Sequence, residues 1–325
     1  MPGDLDEIYR PVADDLRELS GLLRRELATD DPFIGELVAH VLATRGKLVR
    51  PALALLSSAA CGGADEQRLW LAGTVELIHI ASLIHDDVID AADLRRGSST
   101  VNVRWGNQVA VLLGDYLFAT AFDLISRIHH ADVAPSIAVA AVRMSHAEIQ
   151  AVKVGGEPHE DEATYFTIID GKTAQLFSAA CRAGALIAGA PGPTAAALAE
   201  FGRAWGMSFQ INDDALDLTG DPGALGKPIG SDIEVGKVTL PVIAALRAAP
   251  EDDRSRLRAL VRGAAGDGAL TELRALVERY GGIGHAQSAA RAFADQAAAS
   301  LADLPSSPAK TSLLDLAGYV LVRAR

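Results

Sequence analysis

The sequence has little cysteine and a deficit of positive charge. Its 325 residues include two cysteines, Cys61 and Cys181, too few for a disulfide scaffold or a zinc site. Lys and Arg total 30 against 42 Asp and Glu, so the formal net charge is -12 at pH 7. Nucleic-acid-binding proteins gain most of their affinity from a basic surface, and this balance argues against that class. A small anion is not excluded, because a few local Arg and Lys residues can reverse the sign of the field.

Targeting and membrane-spanning signals are also missing. The acidic N-terminus lacks the basic-then-apolar layout of a signal peptide. No stretch offers the roughly 20 uninterrupted apolar residues of a membrane span. We therefore expect a cytoplasmic protein with no transmembrane segment and no nucleic-acid partner.

The apolar residues follow a helical period along most of the chain. They recur at close to 3.6 residues, and almost nothing alternates with period two, so a sheet is not expected. Asp31 followed by Pro32 is typical of a helix start. Several central helices are apolar around most of their circumference, as in helices buried inside a large core. We predict one all-α domain over residues 1–325, with helices at about 4–27, 32–44, 50–61, 65–92, 106–129, 133–154, 160–190, 194–219, 238–249, 252–263, 268–280, 284–303 and 309–323.

An acidic motif lies near the end of the predicted helix 65–92. A residue turns about 100° in a helix, so Asp86 and Asp90 lie within about 40° on one face, with Asp87 further round. Negative charge concentrated in an apolar helix is unfavourable unless a cation compensates it. Carboxylates suit Mg²⁺, which takes one or two of them together with water and phosphate oxygens. An exposed acidic helix end is the alternative explanation for one isolated motif.

The same motif recurs at the end of a second apolar helix. Residues 209–217 again contain DDxxD, with Asp213, Asp214 and Asp217 as its acids. Two such motifs on two buried helices indicate carboxylate clusters that face a shared polyanion. Basic residues that could bind phosphate by charge-assisted hydrogen bonds accompany both motifs, namely Lys47, Arg50, His79, Arg95, Arg96, Lys172 and Lys227.

These residues together resemble the trans-type polyprenyl diphosphate synthase family. The resemblance runs in unbroken order from about Leu42 to Pro241. It is carried by the segment 46–51 (GKLVRP), the helix from Glu76 through the first DDxxD, Arg95-Arg96-Gly97, Gly114-Asp115-Tyr116, Lys172-Thr173, Phe209-Gln210 with the second DDxxD, and the stretch 226–241.

The resemblance implies the family's fold, activity and partners. Its members are single all-α domains whose helices surround a deep central cavity, usually as homodimers. They condense isopentenyl diphosphate with an allylic diphosphate, head to tail, and depend on Mg²⁺, with three ions expected here.

The resemblance also implies roles for individual residues. Asp86, Asp90 and Asp213 look like the Mg²⁺ ligands, with Asp87, Asp214 and Asp217 in support of the same metal site. The residues similar to the family's allylic diphosphate contacts are Arg95, Lys172, Thr173, Gln210, Lys227 and Lys237. The residues similar to its isopentenyl diphosphate pocket are Lys47, Arg50, His79 and Arg96. Lys172 and Lys227 join the three aspartates as the expected catalytic set.

One position departs from the family pattern, and two positions bear on product length. Leu48 stands where members commonly have a basic residue. Arg45 offsets the missing positive charge in part. Ala81 and Ser82, five and four residues before Asp86, are small where short-chain members carry aromatic residues. We therefore expect a long all-trans product, hexaprenyl to decaprenyl, with a short-chain farnesyl or geranylgeranyl synthase as the alternative.

Two other functions are compatible with such a fold. A terpene cyclase shares the ionisation step but needs no second diphosphate pocket, so Lys47, Arg50, His79 and Arg96 argue against it. A non-catalytic helical subunit or apolar-ligand carrier has no need of both aspartate motifs.

Overall fold

Helices make up almost all the regular structure of residues 4–44, 46–155, 158, 160–219, 236–263 and 268–322, which are the residues that the computed structural model describes. In chain order they are α1 (Leu5–Ile8), a 3₁₀ helix (Arg10–Val12), α2 (Ala13–Glu26), α3 (Pro32–Ala43), α4 (Val49–Ala60), α5 (Gln67–Ile89), α6 (Val101–Trp105), α7 (Asn107–Ser126), α8 (Val133–Val154), α9 (Glu162–Ile169), a π-helical turn (Asp170–Ala174), α10 (Gln175–Ile187), α11 (Gly192–Thr219), α12 (Leu240–Ala248), α13 (Glu251–Val261), α14 (Ala269–Arg279), α15 (Gly282–Ser300) and α16 (Pro308–Tyr319). The predicted all-α class is confirmed.

A short hairpin is the only strand pairing among the described residues. Strands β1 (Leu94–Arg95) and β2 (Ser98–Ser99) pair antiparallel, with Arg95 opposite Ser98. The two turn residues, Arg96 and Gly97, have φ of +52° and +76°, as a tight two-residue hairpin turn requires. The expectation of no sheet missed this hairpin, because Arg96 is not a residue that favours positive φ.

Local signals predict some helix limits well and others poorly. The Asp31 side chain accepts hydrogen bonds from the backbone amides of Phe33 and Ile34, and Pro32 is the first residue of α3, as predicted. The predicted helix 4–27 is divided at the 3₁₀ helix that contains Pro11, which has no amide to donate. The predicted helix 160–190 is interrupted by the π-helical turn.

The chain folds into two compact units, each assembled from three stretches. The first comprises Met1–Ala141, Leu176–Gly202 and Ser300–Leu316. Its central helix is α5, which packs against α2, α4 and α7 and buries side chains around most of its circumference. The first aspartate motif thus projects from the end of a helix that is anchored in a core.

The second unit comprises Val142–Gln175, Arg203–Ala299 and Ala317–Arg325. One of its cores joins α9, the π-helical turn, α11, α12 and α15 through buried apolar side chains that include Tyr165, Met207 and Ile211. This core fixes the part of α11 that carries the second aspartate motif. The single domain predicted over residues 1–325 stays a prediction.

Helix α7 is long and apolar enough to cross a membrane by length and composition. A core helix of a soluble protein passes the same test, so the signal is weak evidence. The helix also contains Asp115 and Asp123, and it buries Leu113, Leu117 and Leu124 within the first unit.

Candidate active site

The first aspartate motif ends helix α5. Asp86 and Asp90 are partly exposed, whereas Asp87 is 4% exposed. Arg95, on the hairpin, donates a hydrogen bond from Nε to Oδ1 of Asp87 at 2.7 Å. Asp87 is therefore occupied by an ion pair that ties the hairpin to the helix, and Arg95, expected at the allylic diphosphate, has this carboxylate as a neighbour.

The charges of this motif act on one another. Burial raises the pKa of the Asp87 carboxyl, the Arg95 guanidinium opposes that shift, and the negative charges of Asp86 and Asp90 raise it further. The helix end thus concentrates negative charge on hard oxygen donors, the chemistry that suits Mg²⁺. These carboxylates fit the ion that the resemblance implies.

A second group of predicted residues lies in the same unit. Arg50, in the first turn of α4, contacts His79 of α5, with Nη1 3.0 Å from Nε2. The Arg50 guanidinium also lies over the Phe177 ring, 4.3 Å from its centroid. Burial lowers the pKa of Arg50 to about 10, Glu76 opposes the shift, and Arg96 adds to it.

The predicted pocket residues at 46–50 and 95–96 meet through the hairpin turn. Arg96 donates from Nη1 to the carbonyl oxygen of Thr44 at 2.8 Å. A Cβ atom at Gly46 would lie 2.3 Å from Arg96 Nη2, so the guanidinium lies against the GKLVRP backbone. Lys47, in that segment, is exposed. The structure therefore brings Arg50 and His79 together and places Arg96 beside the segment that contains Lys47.

The second unit holds the other predicted residues around the π-helical turn. Such turns occur often at functional sites, because the extra residue redirects the neighbouring side chains. The turn contains Lys172, which forms an ion pair with Glu148 of α8, and Thr173, which donates to Oε1 of Gln210 at 2.8 Å. Thr173 and Gln210, both predicted at the allylic diphosphate, are thus in direct contact.

The second aspartate motif is held by the same network. Gln210 donates to Oδ1 of Asp214 at 2.8 Å, and the hydroxyl of Tyr165 donates to Oδ2 at 2.6 Å. Asp214 and Asp217 are 5% and 1% exposed, while Asp213 is partly exposed. Asp214 is therefore positioned by two hydrogen bonds, and the more accessible Asp213 is better placed to reach a ligand.

Two partners in these networks were not predicted from the sequence. Glu148 and Tyr165 lie outside the motifs, on α8 and α9, and nothing in their local sequence marks them.

The remaining predicted positions differ in how much of their surroundings the structure describes. Lys237 is partly buried, whereas Lys227 and Arg45 lie outside the described residues. Ala81 is fully buried in α5, and Ser82 donates to the carbonyl oxygen of His79 at 2.8 Å. In the described part of the chain, no three or more His, Cys, Asp or Glu side chains lie close enough together to hold a metal ion by themselves. Mg²⁺ commonly completes its shell with water and substrate phosphates.

Comparison with known proteins agrees with these observations. The profile of the family described as Polyprenyl synthetase matches residues 31–278. A short chain isoprenyl diphosphate synthase of Methanothermobacter thermautotrophicus is 41% identical over 289 residues, which are 87% of this chain and 88% of that protein.

Solved structures extend the similarity to the whole fold. A decaprenyl diphosphate synthase from Rhodobacter capsulatus matches with a TM-score of 0.94 and 37% identity, over 99% of this chain and 100% of that one. A polyprenyl synthase from Caulobacter crescentus, complexed with calcium and isoprenyl diphosphate, matches with a TM-score of 0.95 and 31% identity, over 100% and 99% of the two chains. The chain belongs to the polyprenyl synthetase family, and it is a prenyltransferase with the all-α fold of that family.

Proposed function

We propose that this prenyltransferase condenses isopentenyl diphosphate with an allylic diphosphate, repeatedly and head to tail, and that it releases an all-trans hexaprenyl to decaprenyl diphosphate. The observation that carries the proposal is the pairing of Arg50 with His79, beside the hairpin that bears Arg96. It supplies cationic groups beyond those near the aspartates, as an enzyme with two diphosphate substrates requires.

The lowered pKa of Arg50 supports an anion at this position. A guanidinium removed from water is destabilised, and a diphosphate bound nearby would offset that loss. Arg50, Arg96, His79 and Lys47 would hold the diphosphate of isopentenyl diphosphate. A terpene cyclase, which uses a single diphosphate substrate, has no need of this pocket.

The aspartates would serve the other substrate. Asp86, Asp90 and Asp213 would hold Mg²⁺, with three ions expected, and Asp87 and Asp217 would support them. When bound, Mg²⁺ would supply the positive charge that stabilises a departing diphosphate. Calcium and isoprenyl diphosphate are both present in the similar Caulobacter crescentus structure. Lys172, Thr173, Gln210, Arg95, Lys227 and Lys237 would orient the allylic diphosphate.

The bond changes then follow. The allylic C–O bond breaks and diphosphate leaves, so C1 becomes a carbocation. The double bond of isopentenyl diphosphate attacks C1 to form the new C–C bond, and a proton passes to the released diphosphate. Apolar walls would keep water, the competing nucleophile, from the cation. No side chain needs to act as a covalent nucleophile.

The length of the product is supported by small residues below the first motif. Ala81 and Ser82 are small side chains about one helical turn before Asp86, so they would leave room for a growing chain. The similarity to the decaprenyl diphosphate synthase of Rhodobacter capsulatus supports a long product. The similarity to the short chain isoprenyl diphosphate synthase of Methanothermobacter thermautotrophicus supports the shorter alternative.

We also propose that the protein is a cytoplasmic homodimer. Helix α7 exposes Val111, Leu112 and Phe122 at 42%, 59% and 53%. Large apolar side chains left in water along one helix favour an interface with another protein. A second copy of the chain would cover them. Light scattering after gel filtration without detergent should give twice the chain mass, whereas a monomer or a detergent-dependent particle would contradict the proposal.

Radiolabelled isopentenyl diphosphate, offered with geranyl, farnesyl or geranylgeranyl diphosphate and Mg²⁺, tests the reaction. We expect label in long prenyl products, seen after dephosphorylation and thin-layer chromatography. Farnesyl or geranylgeranyl products alone would establish the short-chain alternative. Products formed from the allylic substrate without label would indicate a cyclase, and no turnover of either substrate would contradict an active enzyme.

A further inference from the structure

The hairpin that presents Arg95 and Arg96 is too small to hold its own position. Its two strands have two residues each, and a lone hairpin of that size is not stable in water. Its turn also places Arg96, a non-glycine residue, in the left-handed region at φ +52°. The position of the Arg96 guanidinium therefore depends on contacts outside the hairpin.

Helix α3 and the residue that caps its C-terminal end provide two of those contacts. His40 Nε2 lies 2.9 Å from the carbonyl oxygen of Ser99, in strand β2. Four residues later, the carbonyl oxygen of Thr44 accepts from Arg96 Nη1 at 2.8 Å. One bond holds a strand of the hairpin and the other holds its turn.

The partners of His40 determine its tautomer. A carbonyl oxygen only accepts, so Nε2 carries the proton that is donated to Ser99. Arg104 Nη1 lies 3.1 Å from Nδ1 and only donates, so Nδ1 accepts. The His40 ring also meets Trp105 edge to face, with the centroids 5.1 Å apart. Each ring nitrogen thus has one role, and the ring is held in a single orientation.

We propose that His40 is a positioning residue for isopentenyl diphosphate, because it fixes the hairpin so that Arg96 lies over the GKLVRP segment. His40 itself contacts no substrate. The inference rests on the proposed function only in naming that diphosphate as the ligand of Arg96. The hydrogen bond from His40 to Ser99 transmits the effect.

The test is steady-state kinetics on the full-length enzyme. His40→Ala should raise KM for isopentenyl diphosphate roughly three- to ten-fold, the effect of losing one neutral hydrogen bond. It should leave kcat and the allylic KM within about two-fold, because Arg95, on the same hairpin, stays anchored by its own hydrogen bond to Asp87 and the aspartates are not displaced. His129→Ala, which removes an exposed histidine, is the matched control and should change none of them.

Two isosteres separate the bonds of His40. The amide nitrogen of Gln reaches about as far as Nε2, so His40→Gln should keep the bond to Ser99 and restore KM. Asn reaches only as far as Nδ1, so His40→Asn should keep the contact with Arg104 and behave like His40→Ala. Equal effects of Gln and Asn would overturn the role of the Ser99 bond.

A double-mutant cycle with Arg96→Ala shows whether His40 acts through Arg96. If it does, adding His40→Ala to Arg96→Ala should change KM no further, whereas additive effects would overturn the proposal. A parallel fall in kcat, in both KM values and in melting temperature would show a general structural role and would also overturn it. If the wild-type enzyme does not turn over isopentenyl diphosphate, the proposed function fails. The role of His40 is then decided by the same double-mutant cycle, with the affinity for inorganic diphosphate measured by calorimetry.

Discussion

Arg50 donates a hydrogen bond from Nη1 to Nε2 of His79 across 3.0 Å, so the imidazole accepts at Nε2 and is neutral. Burial lowers the pKa of His79 well below its ordinary value of 6.5, and the positive charges of Arg50, Arg96 and Arg95 lower it further. The protein thus keeps His79 as a hydrogen-bond acceptor at neutral pH, and Arg50 carries the positive charge of the pair.

The neutral His79 makes stability depend on acidic pH. Below pH 6.5 the unfolded chain binds a proton at this residue and the folded chain does not, so the free energy of unfolding falls as pH drops from 6.5 towards the lower folded pKa. His79→Gln, which keeps an acceptor for Arg50, should lose less stability between pH 7 and pH 5, by up to about 1.4 kcal/mol per pH unit. Urea unfolding at several pH values measures this, with His129→Gln as the exposed control. Equal slopes for His79→Gln and wild type would contradict it.

The features that could be predicted from the sequence are those that depend on the spacing of nearby residues. The start of α3 at Asp31-Pro32 and the two DDxxD helices depend on neighbours in the chain, and those predictions of structure are confirmed. The π-helical turn was not predicted, because it lies at a close contact with α8, a helix distant in the sequence. The contact is so close that a Cβ atom at Gly171 would lie 2.6 Å from the Cβ atom of Ala147.

The candidate site was predicted unevenly for the same reason. Motif residues could be named from the sequence, whereas their partners lie on other helices: Phe177 against Arg50, Glu148 against Lys172, and Tyr165 against Asp214. No local pattern pairs residues so far apart in the chain. The roles assigned to the motif residues stay predictions that the following variants test.

A side chain at Gly114 should destabilise the protein, because α5 and α7 meet there. A Cβ atom at Gly114 would lie 2.1 Å from Nε2 of His85, whose ring is held by the carbonyl oxygen of Val111 at 3.1 Å. Gly114→Ala should therefore lower the free energy of unfolding by about 1–3 kcal/mol, the usual effect of overpacking a core. Urea unfolding measures the loss.

Two further variants check the cause. Gly284→Ala, at an exposed helical glycine with open space around it, should be neutral or stabilising by up to about 1 kcal/mol. His85→Ala added to Gly114→Ala should recover part of the loss, because it removes the clashing ring. A Gly114→Ala protein as stable as wild type would show that α5 and α7 adjust freely at this point.

The aspartates should control turnover and not folding. Asp86→Ala and Asp213→Ala should each lower kcat about a thousand-fold or more, since a lost metal ligand removes several kcal/mol of transition-state stabilisation. Their melting temperatures should stay close to wild type, because both side chains are partly exposed. Asp93→Ala removes an exposed carboxylate just beyond the first motif and serves as the control. Near-native condensation by Asp86→Ala would show that Asp86 is not a metal ligand.

Substitutions in the two diphosphate pockets should raise the KM of different substrates. Lys47→Ala and Arg96→Ala should raise KM for isopentenyl diphosphate by roughly one to two decades, the effect of losing a charge-assisted contact. Lys172→Ala and Lys227→Ala should raise the allylic KM instead. Lys153→Ala, at an exposed position on α8, is the control for loss of charge alone. The reverse pattern, with Lys47→Ala raising only the allylic KM, would show that the two pockets are assigned to the wrong substrates.

Ala81 should set the length of the product. It lies five residues before Asp86, one turn deeper along α5, where a growing prenyl tail would pass beneath the diphosphate. Ala81→Phe should therefore stop elongation at farnesyl or geranylgeranyl diphosphate, while the first condensation continues because the aspartates are untouched. Thin-layer chromatography of dephosphorylated products measures the change, with Ala81→Ser as a small-residue control that should keep the long product. Because Ala81 is fully buried, melting temperatures accompany the assay, and Ser82→Phe tests the same path from a less buried position. A folded Ala81→Phe enzyme with the wild-type product distribution would mean that the tail does not pass this turn of α5.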